Sequence, residues 1–242
     1  MKRLSLVMFA SFVILSGAWS VFAGEVGEAA PAEKPRSRAL LDQLHENLSE
    51  IATLQVDFTQ ERHLSIMTDV LTSEGILLFS SPDSVRLEIT KPFKSILVTS
   101  GKTLVRYEFI DGGWRRLNAG DARATSLVMN QIAQWIRGKF SDSGKVFDIE
   151  VEPESPVRIT LTPNDRAFAK RIEAIRFVFN DAANALRTLR VDEPGGDYTL
   201  MTFSNEKRNV VLDESLFDTT LDVPVEVVGR NQTAAEASDD RK

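Results

Sequence analysis

No cysteine occurs anywhere in the 242 residues. That excludes a disulfide framework, a thiolate metal site, a cysteine nucleophile and a lipid anchor on an N-terminal cysteine. Histidine is nearly as scarce. The two present, His45 and His63, form no H-x-x-x-H arrangement, so zinc chemistry has no ligand pair to start from, and solvent-facing or helix-flank positions account for both. Apolar runs long enough to cross a bilayer are also missing. The longest, Leu4 to Leu15, is about a dozen residues against the roughly 20 of a spanning helix. It follows Lys2 and Arg3 and precedes Val21-Phe22-Ala23, the small-residue form of a signal-peptidase site. Residues 1–23 are therefore predicted to be a signal peptide cleaved after Ala23, and the remaining chain to be soluble and exported. The formal net charge is −6, and the signal segment carries two basic and no acidic residues. An exported chain this acidic is not expected to bind nucleic acid or an anionic membrane surface through charge.

Catalytic constellations are missing too. There is no G-x-S-x-G elbow. Ser204-Asn205-Glu206-Lys207 matches S-x-x-K by letters, but it falls at the end of a strand pattern instead of a helix start. Gly101-Lys102-Thr103 resembles the tail of a phosphate loop, yet Ile96 stands where the first glycine is required and a strand follows where a helix is needed. Asp57, Glu74 and Glu88 alternate with apolar neighbours and read as solvated carboxylates. No catalytic residue, metal site or cofactor is expected, and the chain is not read as an enzyme.

What the sequence has in abundance is strand. From Leu54 to Leu117 short runs of alternating apolar and polar residues follow one another, punctuated by Pro82, Pro92, Ser100-Gly101 and Asp111-Gly112-Gly113. Strands are predicted near Leu54 to Arg62, Leu71 to Ser80, Ser84 to Thr90, Ser95 to Thr99, Thr103 to Phe109 and Trp114 to Leu117. Alternation resumes around Phe147, Ile149 and Val151, then Val157, Ile159 and Leu161, then Ile175, Phe177 and Phe179, then Leu189 and Val191, then Tyr198, Leu200 and Thr202. Two segments have helical spacing instead. Ser37 is expected to cap a helix carrying Leu40, Leu41, Leu44, Leu48 and Ile51. Val128, Ile132, Trp135 and Ile136 mark a second helix between Thr125 and Arg137. The expected fold is a mainly β (α+β) incomplete antiparallel barrel of 10–11 strands with two or three helices over its mouth. Residues 24–36 read as a flexible leader, 37–228 as a single domain and 229–242 as a disordered tail, with order decaying beyond Phe217.

Leu54-Gln55-Val56-Asp57-Phe58-Thr59-Gln60 resembles the opening strand of the periplasmic outer-membrane lipoprotein carrier family (LolA-like). Gly75-Ile76-Leu77-Leu78-Phe79, Pro82, Arg86-Leu87, Pro92 and the run from Ser95 to Leu104 with Tyr107 follow that family in order and spacing. Phe217 resembles its closing phenylalanine. The similarity is strong from about Leu41 to Tyr107; from Gly120 to Phe217 only the strand pattern and the closing segment support it.

The resemblance implies a lid of helices over a dry cavity for lipoprotein acyl chains, in a monomeric periplasmic transport chaperone. It also implies handover from an inner-membrane ABC transporter to an outer-membrane receptor lipoprotein. On that reading the lid is assigned to Leu44, Leu48, Ile51, Ile132 and Trp135, and the cavity wall to Val56, Phe58, Val85, Leu87, Ile89, Val105 and Tyr107. Two departures stand out. Ser81 replaces the family's arginine, which bonds to the lid and holds the empty cavity shut, and the nearest substitute, Arg86, should point to the other face. Leu87 occupies a commonly aromatic position. A glycolipid or other lipid cargo, a lipid-sensing interaction domain and an exported lipid-modifying hydrolase remain as alternatives.

Overall fold

The computed structural model describes residues 35–117, 131–225 and 227. The expected signal peptide and the 229–242 tail lie outside the described residues. So does the leader, apart from Pro35 and Arg36, which open the first helix. That helix, α1, spans Pro35–Ser49. It starts two residues earlier than expected because proline, with its fixed φ and missing N–H, suits a first helical turn, and Ser37 lies within that turn instead of capping it.

Eleven strands follow: β1 (Thr53–His63), β2 (Leu71–Ser80), β3 (Ser84–Lys91), β4 (Ser95–Ser100), β5 (Thr103–Ile110), β6 (Gly113–Leu117), β7 (Phe147–Glu152), β8 (Arg158–Pro163), β9 (Ala174–Phe179), β10 (Leu186–Asp192) and β11 (Tyr198–Arg208). Residues 131–136 are helical and are called α2, while the part of this helix expected from Thr125, with Val128, lies outside the described residues; a short α3 spans Arg166–Ala169. All the strands belong to one antiparallel sheet, in the order β6-β5-β4-β3-β2-β1-β11-β10-β9-β8-β7. Two meanders, β1 to β6 and β7 to β11, are thus joined along the β1/β11 pair, where Phe58 lies opposite Phe203. Strands β6 and β7 are the edges and do not pair, so the sheet is not closed. Turn chemistry sets the hairpins. Between Ile110 and Gly113, which pair directly, Asp111 and Gly112 both take positive φ (52° and 81°), as a two-residue turn matching strand twist requires.

Both faces of the first meander are covered. Leu54, Val56, Phe58, Leu77, Phe79, Val85, Leu87 and Leu97 form one core with Leu41, Leu44 and Leu48 of α1, with Ile132 and Trp135 of α2, and with Phe177, Phe179 and Leu189 from the second meander. The alternate set, Ile76, Leu78, Ile96, Val98, Val105 and Tyr107, forms a second core on the opposite face with Leu216 and Phe217. Residues 75–79 of β2 and 95–99 of β4 are buried on both sides, which is why Ile76 to Phe79 and Ile96 to Val98 read as unbroken apolar runs.

Beyond Phe217 the described chain lies against the sheet. Arg116 donates to the carbonyls of Thr219, Thr220 and Leu221, and Tyr107 Oη donates to Leu221 O at 2.8 Å. Arg86, 1% exposed, donates to Leu216 O (3.1 Å) and Val225 O (2.7 Å) and pairs with Glu88 (2.7 Å). Backbone carbonyls in this segment thus find donors on the sheet.

Candidate functional site

Beneath α1 and α2, where the two meanders meet, the helix-covered core is incompletely filled. The recess left there has a volume of about 70 Å³. Leu48 and Ile51 border it from α1 and the turn after it, and Ile132, Trp135, Ile136 and Phe140 from α2 and its exit. Leu54, Leu77, Val85 and Leu87 form the wall from β1 to β3; Phe177, Phe179, Leu186, Leu189, Met201 and Phe203 form it from β9 to β11. The lining's charged residues, Glu206 and Arg208, pair with each other near the ends of the strands. Among the described residues such a surface offers hydrocarbon contact and no buried unpaired donor or acceptor to orient a polar headgroup.

The aromatic part is built edge to face. Trp135 meets Phe177 at 5.0 Å and 74°, and Phe140 meets Phe177 at 5.1 Å and 77°. The indole N–H of Trp135 is satisfied by Ser143 Oγ at 3.0 Å, so the ring contributes apolar surface without an orphaned donor.

The two helices form one cover. Gly138, just past α2, has φ +70°, and a Cβ there would lie 2.7 Å from Leu44 O and 2.8 Å from His45 Cα. Only a glycine permits both that backbone conformation and that approach. His45 Nδ1 lies 3.0 Å from Arg137 O, tying α1 to the end of α2. The cover is also pinned to the β9–β10 turn. Asn47 Nδ2 of α1 donates to Ala183 O (3.1 Å); Arg208 of β11 separately ties that turn to the sheet by donating to the carbonyl of the next residue, Asn184.

Six of the twelve residues assigned to lid and wall border the recess: Leu48, Ile51, Ile132, Trp135, Val85 and Leu87. Leu44, Val56 and Phe58 lie in the same core without bordering it, and half-buried Ile89 packs against that core. Val105 and Tyr107 are corrected. They belong to the opposite face, where Val105 pairs with Val98 and Tyr107 with Ile96. Burial raises the Tyr107 phenol above its ordinary pKa. Sequence alternation identifies two sets on β5 without saying which faces the helices, because both faces are covered.

Missing from the sequence assignment was the second meander's share of the wall. Its signal lay in the alternation of Ile175, Phe177 and Phe179 and of Leu189 and Val191, together with the β1/β11 pairing that brings those residues opposite the first strands.

The carboxylates considered for catalysis do not converge. Asp57 accepts from Asn205 Nδ2 (3.0 Å), Glu74 pairs with Lys91 (2.9 Å) and Glu88 with Arg86. Among the described residues no helix is long and apolar enough to cross a membrane.

A family model described as outer membrane lipoprotein carrier protein LolA matches residues 49–220. The outer-membrane lipoprotein carrier protein of Vibrio parahaemolyticus is 26% identical over 211 residues, covering 85% of this chain and 88% of its own. That of Chromobacterium violaceum is 28% identical over 196 residues, covering 79% and 86%. Among solved structures, a LolA superfamily protein from Nitrosomonas europaea matches 76% of this chain and 97% of its own at 11% identity and a TM-score of 0.40. The Mycobacterium tuberculosis lipoprotein LppX matches 75% and 100% at 14% identity and a TM-score of 0.43.

Proposed function

The chain belongs to the outer membrane lipoprotein carrier protein family LolA, and from that premise we propose that it is a soluble periplasmic carrier that shields the acyl chains of lipoproteins, or of a related lipid, between the inner and outer membranes. The observation that carries this reading is an apolar recess under a two-helix cover, with its charges confined to a paired Glu206 and Arg208. Uptake and release need no covalent chemistry. The natural donor is an inner-membrane ABC transporter, engaging the empty carrier, and the natural acceptor an outer-membrane receptor lipoprotein, engaging the loaded one, with the carrier acting as a monomer. Export relies on cleavage after Ala23.

Magnitudes explain how such a carrier both binds and lets go. A saturated chain burying about fourteen methylenes gains roughly 11 kcal/mol at about 0.8 kcal/mol each. The recess of about 70 Å³ is far too small for that chain, so cargo enters only as the cover lifts. Returning Leu48, Ile51, Ile132 and Trp135 to water costs roughly 6–12 kcal/mol at about 1.5–3 kcal/mol each. These opposing quantities are of similar size. The cover's own side chains therefore act as a competing ligand, and modest differential contacts with a partner tip the balance.

With Ser81 in place of the family arginine, closure falls to the bonds that the cover does make, His45 to Arg137 O and Asn47 to Ala183 O, while Arg208 of β11 fixes the turn that receives Asn47 by donating to Asn184 O. The recess recognises hydrocarbon and is indifferent to headgroup, so a glycolipid would fit as a lipoprotein does.

The test is displacement of a fluorescent fatty-acyl probe, paired with mass spectrometry of lipid co-purifying from the periplasm. Leu87→Glu places a carboxylate on the wall and is expected to abolish probe binding while the circular dichroism spectrum is retained. A folded variant with unchanged affinity removes Leu87 from the wall.

A further inference from the structure

Eight large apolar residues are exposed among the described residues, and six of them stand at one end of the sheet. Ile66 (90% exposed), Met67 and Val70 lie in the β1–β2 connection, Phe93 in the β3–β4 connection, and Phe109 and Ile110 at the end of β5. Antiparallel order places these together. β1, β3 and β5 all finish at this end and β2, β4 and β6 all begin there. Trp114 joins the group, meeting Phe109 edge-on at 5.4 Å. Recess residues such as Leu54, Val85, Phe179, Leu186 and Arg208 lie toward the opposite ends of their strands.

We propose that this end of the sheet is a docking surface for the interface of a phospholipid bilayer. The side chains project from turn tips, and contact with a fluid apolar medium needs none of the shape matching that a rigid protein partner demands. Their chemistry is interfacial: aromatic rings and aliphatic tips with amines beside them. Lys94 follows Phe93, and its Nζ stands 5.5 Å from the centre of the Phe109 ring, whereas Lys91, two residues before Phe93, is paired with Glu74. The long stem of Lys94 lets its ammonium group reach the phosphate layer while the rings enter below it. Asp69, Glu74 and Asp111 share this end, so anionic lipid adds little and insertion is driven by apolar contact. The surface would let the protein rest on a membrane with its cargo recess directed elsewhere, and it does not depend on what the recess holds.

The experiment is flotation of the full-length mature protein, free of cargo, with vesicles of phosphatidylcholine, with and without one-fifth phosphatidylglycerol. Wild type is expected to float with both, the anionic lipid changing the partition no more than about threefold, with a blue shift of Trp114 emission that Trp114→Phe removes. The double variant Ile66→Ser/Phe93→Ser alters exposed side chains and should keep the wild-type melting temperature while its partition falls at least tenfold. Failure of wild type to float, or equal flotation of a folded double variant, overturns the proposal. Flotation only with anionic vesicles overturns it too, as it assigns binding to charge. Wild type that stays in solution yet binds a purified protein through these residues overturns it in favour of a protein partner. Acyl-probe affinity should be the same in wild type and double variant, so loss of the carrier reading would appear there and leave the flotation result standing.

Discussion

Trp135→Ala separates a lid residue from an ordinary core residue, because the two roles predict opposite changes in binding. Trp135 is 8% exposed and meets Phe177 at 5.0 Å and Phe147 at 6.4 Å, both edge to face. Its indole N–H is bonded to Ser143 Oγ. Truncation removes all of this at once, and the loss of stability expected for a buried tryptophan is about 3–5 kcal/mol. Affinity changes in the opposite direction. If the indole must leave its place to admit an acyl chain, wild type spends about 1.5–3 kcal/mol on that displacement. The variant spends nothing, so acyl-probe affinity should rise about tenfold to a hundredfold at 1.4 kcal/mol per decade. Saturating probe should then raise the variant's melting temperature by more than it raises that of wild type. Fluorescence titration and thermal unfolding on the same samples give both numbers. A folded Trp135→Ala protein whose probe affinity is unchanged or weaker would refute the idea that the cover competes with cargo.

Three further outcomes follow from particular contacts. Gly75→Ala would place a Cβ 2.2 Å from the Glu88 carbonyl oxygen and 2.4 Å from Phe58 Cζ; with backbone on one side and a core ring on the other, destabilisation of at least about 1–3 kcal/mol is expected in urea unfolding. Arg86→Met leaves the Leu216 and Val225 carbonyls without this donor and Glu88 without this partner, so stability should drop by about 3 kcal/mol and limited proteolysis should cut within 209–225 before the strands. Asp197 is held below its ordinary carboxylate value, chiefly by the backbone N–H of Ser65 at 2.7 Å and then by that residue's side chain. A pKa lowered in the folded state stabilises above the unfolded value and is lost as pH falls through the lowered one. Protection of the Ser65 amide against exchange should therefore persist at pH 6 and disappear in acid below the usual carboxylate range, and Asp197→Ala should remove it at pH 6.

The first meander was legible because its punctuation is chemical. Pro82, Pro92, Gly101 and Asp111-Gly112 interrupt alternating runs, and the strand ends lie within a residue or so of those signals. The helix spacing of Leu41, Leu44 and Leu48 likewise marked the face that is buried. What alternation could not supply was a side. On β5 the odd-numbered Val105 and Tyr107 are more buried than Leu104, yet Leu104 packs toward the helices. The reason lies more than a hundred residues away, in the segment containing Leu216, Phe217 and Val225, which gives the far face a core of its own. Half of the recess was hidden for a related reason. Phe177, Leu189 and Met201 reach it only because β11 pairs with β1, a contact between the two ends of the domain that no local pattern announces.

Hydrocarbon is predicted to occupy the space between α1, α2 and the sheet. A photoreactive fatty-acyl probe, cross-linked to the mature protein and mapped by peptide mass spectrometry, addresses it directly. Labelling is predicted on the peptides carrying Leu87, Phe177 and Met201, and it should be displaced by unlabelled fatty acid. Labelling confined to the exposed turns around Ile66 and Phe93, or to the opposite face around Val98 and Val105, would contradict it.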